Sequence, residues 1–274
     1  MQNKDFKSQS ISLGSVINAR ELGGFRMADG RCVRHGLLLR GAGLGRASSK
    51  DIERLVKFYS VKKVFDFRMD VEVNADPDPE IPGVENIRLP AMDRQMCQEF
   101  NAYMVRGGYT GIEDVVRRGA AEPDVKEAAR TMYSSMVMSP FTQGQYARFM
   151  REVIGTPEGA VYWHCTQGKD RTGLAAAFIL YALGADRETV LEDYAISNEF
   201  YTKDIERLSK EVLDKGWGEE ELEVVKTFIG ANANAFKAAL DLLEKEYGSM
   251  MGFIHERLGV SREDIEVLRL RYLE

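Results

Sequence analysis

Short apolar runs alternate with stretches of helical period along most of the chain, a pattern that predicts an α/β architecture. Ile52, Leu55, Val56 and Tyr59 share one face of a helix over Ser48–Tyr59, which Ser48 and Asp51 open as a capping box. Val61–Phe67 reads as a buried strand and Val84–Leu89 as a second, leading into the loop Pro90-Ala91-Met92-Asp93. Residues 30–40 read as extended, with Val33 and Leu37–Leu39 as their apolar part. Gly159–Trp163 reads as a short strand that runs straight into His164-Cys165. Beyond it, Leu174–Leu183 is a strongly apolar helix that Gly184 stops.

Residues 94–140 are the least regular stretch. Helical patches around 111–119 and 124–138 make them a helical insertion or lid, before a further helix over Pro140–Val153. The part from 186 to 274 is helical. Asp186 caps a helix through about Lys210, Gly216 breaks it, and Glu219–Glu223 is a solvated helix start. Phe236, Leu240, Leu243 and Tyr247 recur at helical spacing, and Ser261 with Asp264 caps a last helix carrying Ile265, Leu268 and Leu273. Residues 1–274 are expected to form one domain.

Composition narrows the class. A hydrophobic share of 44% beside 29% charged residues is that of a soluble globular protein, and no run is long enough to span a bilayer. A net charge of -6 gives no support to a nucleic-acid partner. Met1–Ile11 is polar and lacks the apolar core of a signal peptide. Cys32, Cys97 and Cys165 are too few for a disulfide framework, so a reducing cytoplasm is the expected compartment. His35, His164 and His255 have no metal-ligand spacing, Gly168-Lys169 is followed by Asp rather than Ser or Thr, and Gly41–Gly45 is not a dinucleotide fingerprint. No metal or cofactor is expected, and the oligomeric state is left open.

The chemistry concentrates in Cys165-Thr166-Gln167-Gly168-Lys169-Asp170-Arg171. A Cys-x5-Arg spacing is common by chance, but here an apolar strand precedes it, a glycine lies inside it and an apolar helix follows. A loop wrapped at a helix N-terminus points backbone N–H groups inward, where the helix dipole adds positive potential. That field binds phosphate oxygens and also stabilises a thiolate near neutral pH. Arg171 suits a two-pronged grip on phosphate that tightens as charge spreads in the transition state. Gly168 lets the backbone turn without a side chain intruding on the anion.

His164-Cys165-(x5)-Arg171-Thr172-Gly173 resembles the signature of the protein tyrosine phosphatase superfamily. The fuller string Gly168–Gly173 resembles its atypical bacterial tyrosine and phosphoinositide phosphatases. Asn18-Ala19-Arg20-Glu21-Leu22-Gly23-Gly24 is similar to that group's Asn-x-Arg-Asp-Leu-Gly-Gly motif, with Glu21 in place of Asp. Phe65–Arg68, Asp193-Tyr194 with Ser197-Asn198, Tyr247-Gly248-Ser249 and Gly259–Glu274 extend the likeness. The resemblance implies a mostly parallel sheet flanked by helices, and phosphate monoester hydrolysis through phosphocysteine without a metal.

On that footing Cys165 is the nucleophile, and residues 166–171 bind phosphate. His164 tunes the thiolate through its hydrogen bonds, or simply packs at a strand end. Thr172 offers its hydroxyl to the sulfur. Asp93, where the superfamily places its acid-bearing loop, is put ahead of Asp170 as general acid. Lys169 adds positive charge beside the phosphate, as in lipid-directed relatives, or is a solvated lysine at a helix start. Asp66 and Arg68, like Arg20 and Arg40, either line the site or form a buried ion network behind it. The expected substrate is a phosphotyrosine protein, with dual specificity open. The alternatives are a phosphoinositide or inositol phosphate, a phosphate-binding module without turnover, and an arsenate-reductase-like use of the thiol with Cys97.

Overall fold

The computed structural model describes residues 9–92, 116 and 125–274. Five strands, β1 (Arg20–Glu21), β2 (Leu38–Gly41), β3 (Val61–Asp66), β4 (Glu85–Arg88) and β5 (Ala160–His164), form one sheet in the order β1-β2-β5-β3-β4. Only β1 runs antiparallel to its neighbour. The helices are α1 (Ser49–Glu53), α2 (Asp70–Ala75), α3 (Val125–Met138), α4 (Pro140–Ile154), α5 (Asp170–Leu183), α6 (Arg187–Asp214), α7 (Glu219–Val224), α8 (Ala233–Tyr247), α9 (Met250–Glu256) and α10 (Arg262–Tyr272). None is long and apolar enough to cross a membrane.

β5 takes the centre because its five residues are all buried and rich in branched and aromatic side chains. Val161 and Trp163 point to one face, into a core with Phe65, Phe67, Phe149 and the apolar side of α5. Ala160 and Tyr162 point to the other, against Leu39, Leu55, Val64 and the segment from Ile11 to Ala19. Phe149 packs edge-on to Phe65 at 5.1 Å and to Phe67 at 5.3 Å, with Trp163 at 5.7 Å. The Trp163 indole donates to the Thr172 carbonyl at 3.1 Å, which ties the central strand to the first turn of α5.

Most boundaries follow the sequence pattern. Ser48 and Asp51 form the capping box, although the chain then widens into a π-helical turn at Arg54–Phe58 instead of continuing as α-helix. Asp186 caps α6 through the Thr189 amide, Gly184 ends α5 in the left-handed region, and Ser261 caps α10. The extended stretch 30–40 is mostly irregular. Gly30 and Gly36, at φ of +90° and +76°, turn the chain, and only Leu38–Gly41 pairs as a strand in the sheet. Val33 instead bridges to Leu273, while Cys32 and Glu274 exchange backbone bonds of 2.8 and 2.9 Å, fastening the C-terminus onto this segment. α6 runs past Lys210 to Asp214. Of the irregular stretch 94–140, the patch at 124–138 is α3; most of the rest, including Cys97 and the patch at 111–119 apart from Val116, lies outside the described residues, as does Asp93.

The topology decides where the site falls. β2, β3 and β5 are parallel and in register at their ends, with Gly41 and Asp66 both opposite His164. Three loops therefore leave the sheet side by side at its carboxyl edge, where open α/β sheets bind ligands.

Candidate active site

The loop from Cys165 to Lys169 joins β5 to α5, and Asp170 and Arg171 form the first turn of that helix. Its backbone carbonyls are engaged from behind. Asn18 Nδ2 donates to Gly168 O at 2.8 Å and Gln167 O at 3.2 Å, and Tyr201 donates to Gln167 O at 2.6 Å. Arg40 Nη2 donates to Gly168 O at 2.9 Å, and the Gly43 amide reaches Thr166 O at 3.4 Å. With carbonyls held outward, the amide side of the loop is what faces an anion. Gly168 has φ +64°, and a Cβ there would run into the Gly41 backbone.

A fully buried ion network holds these donors. Asp193 takes Arg20 Nε at 3.3 Å on one oxygen and Arg40 on the other. Arg20 also donates to the Asp193 carbonyl at 2.9 Å, to Ser197 at 3.3 Å and to the side chain of Asn18. Asn18 sits at φ +59°, a conformation Asn tolerates better than most residues, and this aims its amide at the loop. Burial and the neighbouring Arg40 charge lower the Arg20 pKa, and Asp193 partly restores it. Of the two readings of Arg20 and Arg40, the supporting network is the one found.

Cys165 is 3% exposed. Burial pushes its thiol up, but the Arg171 charge and contacts from Thr172 outweigh burial, and the net shift is downward. The Thr172 hydroxyl is buried with no other hydrogen-bond partner among the described residues. Arg171 has its five donors divided. Nη1 bonds Glu72 Oε2 at 2.6 Å and Phe67 O at 3.3 Å, and Nη2 bonds Glu72 Oε1 at 2.7 Å. Among the described residues, no hydrogen bond takes the edge formed by Nε–H and the second Nη2 hydrogen, a geometry suited to two oxygens of one anion.

Glu72 escaped the sequence reading. It lies 99 residues from Arg171 in the chain, in the first turn of α2, and its only local signal is an acidic helix start. Here it grips Arg171, accepts the Thr166 hydroxyl and caps the Met69 amide at 2.8 Å. Burial pushes this carboxyl up, but Arg171 and Thr166 outweigh it and hold the pKa at about 2.

The other expected residues are placed as follows. Lys169 is buried, and its ammonium donates to the carbonyls of Phe228, Ile229 and Gly230 at 2.7, 3.1 and 2.8 Å. It thus caps the π-helical turn Val225–Ile229 rather than standing as a solvated lysine or a free charge at the phosphate. Asp170 accepts hydrogen bonds from the phenols of Tyr133 and Tyr194, the latter at 3.1 Å. Asp66 is buried and forks onto Arg68 at 2.9 Å through both oxygens. His164 is fully buried beside it.

The fold and this site together define a phosphatase. The chain belongs to the tyrosine phosphatase family, whose family model matches residues 11–274. A Cupriavidus necator protein assigned by name to the tyrosine-protein phosphatases is 27% identical over 267 residues, covering 96% of this chain and 88% of that one. A tyrosine-protein phosphatase of Nostoc commune is 32% identical over 133 residues, 47% of this chain and 45% of its own. The triple specificity protein phosphatase PtpB of Mycobacterium tuberculosis is 29% identical over 162 residues, 55% of this chain and 58% of its own.

Three outcomes follow from the geometry. Asp193→Asn leaves two buried guanidinium groups without their shared counter-charge, so urea unfolding should show a loss of about 3–5 kcal/mol. Glu72→Gln releases the Arg171 fork, and kcat/KM on an aryl phosphate should fall about 100-fold through misplacement of the guanidinium. Because the folded pKa of Glu72 is depressed from 4.5 to about 2, its stabilisation is present above 4.5 and is lost as pH falls toward 2. Glu72→Gln should therefore flatten the stability profile across that window, as acid-unfolding curves will read.

Proposed function

We propose that this phosphatase hydrolyses phosphotyrosine in proteins by double displacement through a phosphocysteine. The observation that carries the reading is a buried Cys165 thiol with a lowered pKa beside the unspent edge of Arg171. The Cys165 thiolate attacks phosphorus, and the phosphoryl group transfers to sulfur as the phenolate leaves with a proton. Arg171 and the inward amides of residues 166–171 take the charge that spreads over the equatorial oxygens. Water then attacks the phosphocysteine, returning the thiolate and releasing inorganic phosphate. Thr172 offers its hydroxyl to the departing sulfur.

The proton carrier is Asp170 or Asp93. Asp170 takes first place: two phenols orient its Oδ1, its Oδ2 lies 3.8 Å from the Lys169 ammonium, and its charge is felt at Cys165. A protein substrate is put ahead of a phosphoinositide. The lipid reading leaned on Lys169, and an ammonium committed to three carbonyls gives it no support. The name of the M. tuberculosis relative carries triple specificity, so phosphoserine and phosphothreonine belong in the substrate panel.

Hydrolysis of an aryl phosphate should proceed in wild type with chelator present and vanish in Cys165→Ser. Absence of wild-type turnover would leave a phosphate-binding module. In pH–rate profiles the basic limb should disappear in Asp170→Asn and survive in Asp93→Asn; the reverse outcome assigns the proton to Asp93. Phosphopeptides should outcompete phosphoinositides in kcat/KM.

A further inference from the structure

Among the described residues, the three oxygens set against the His164 ring nitrogens are all acceptors. Nε2 lies 2.9 Å from Asp78 Oδ2, and Nδ1 lies 3.3 Å from the Cys165 carbonyl oxygen and 3.9 Å from Asp66 Oδ1. A neutral imidazole has one N–H and one lone pair, so either tautomer would aim a lone pair at an oxygen. The imidazolium can donate to the Cys165 carbonyl and places its other N–H edge 2.9 Å from Asp78 Oδ2, a close ion pair rather than an aligned hydrogen bond, so it aims no lone pair at an oxygen.

The charges around it point the same way. Arg68 pairs with Asp66 at 2.9 Å and with Asp78 at 3.0 Å. Arg88 is shared between Asp66 at 3.6 Å and the exposed Asp70 at 3.0 Å. The three carboxylates Asp66, Asp70 and Asp78 thus face two guanidinium groups, and His164 supplies the third positive charge. Ligand-type atoms of Asp66, Asp78 and His164 lie within 4.8 Å of one another, the spacing of a cation site, but Arg68 already fills the cation's role there. Tyr162, with its ring 5.8 Å away, is the uncharged wall. Burial pushes the imidazolium toward neutrality, yet Asp78 first and Asp66 second outweigh it, and the His164 pKa rises above its ordinary value. Asp78 is also fixed from outside this cluster by the Leu44 amide at 2.7 Å.

We propose that Asp78 is a positioning residue of the reaction: it holds His164 as the imidazolium, which draws the Cys165 carbonyl outward and keeps the adjacent sulfur a thiolate. This rests on Cys165 being the nucleophile. Asp78 lies in Ala75–Glu80, a stretch that none of the recognised motifs covers.

The test reads ionisation without needing turnover. Iodoacetamide alkylation of the Cys165 peptide, followed by mass spectrometry against pH, gives the thiol inflection in wild type, Asp78→Asn and Asp78→Glu. Asp78→Asn should raise the inflection by about one unit, making alkylation about tenfold slower below it, and Asp78→Glu should restore most of the wild-type profile. A merely structural role would lower the melting temperature and leave the inflection in place. An unchanged inflection overturns the proposal. If Asp78→Asn does not fold, nitrogen-15 NMR of the wild-type histidines decides: two protonated ring nitrogens on His164 at pH 7 support the proposal, and one overturns it. If Asp78→Asn shifts the inflection as expected but wild type fails to cleave aryl phosphate, the phosphatase mechanism falls while the hold of the Asp78–His164 pair on the thiol stands.

Discussion

The outward fastening of the carbonyls of residues 166–169 is the constraint on which the site depends. A loop can offer its amides to an anion only when its carbonyls are satisfied elsewhere, and each one left buried and unpaired costs about 1–3 kcal/mol. Asn18, Arg40, Tyr201 and Gly43 supply those partners from three separate parts of the chain. Asn18 and Arg40 are in turn held by Arg20 and Asp193. Strand pairing between Arg20 and Arg40, as cross-strand partners, brings the two guanidinium groups to one carboxylate. The sheet thus shapes the Cys165 loop through its edge strand as much as through the central one.

Donors are also divided within single side chains. Arg171 gives one edge to Glu72, so the aim of its guanidinium is set by the protein itself. Such preorganisation avoids reorganisation during the reaction. Lys169 divides nothing: all three of its donors close the turn that precedes α8, so this charge braces the helical C-terminal part against the loop. Tyr133 of α3 and Tyr194 of α6 meet at Asp170, which couples two further helices to the same few residues.

What the sequence made legible is what local chemistry encodes. Cys165, Gly168 and Arg171 announce themselves because strand, glycine turn and helix start are contiguous, and Ser48, Asp186 and Ser261 because a cap acts within three residues. Glu72, Asp78 and Tyr133 were not legible, since each acquires its role by contact across dozens of residues. Lys169 marks the limit from the other side. Its position in the loop was evident, but rotamer direction depends on carbonyls near residue 229 that no local pattern reveals. The π-helical turn at Arg54–Phe58 hid for a similar reason, because apolar spacing alone does not distinguish it from α-helix.

The central claim is that this loop holds a cysteine thiolate which accepts the phosphoryl group. Rapid acid quenching of the enzyme during turnover of a phosphorus-32-labelled aryl phosphate tests it most directly, with the label then located by peptide mapping. Label is expected on the peptide containing Cys165, appearing at the rate of phenol release. Turnover with label on another residue, or with none on protein at any time while water oxygen enters phosphate directly, would contradict it.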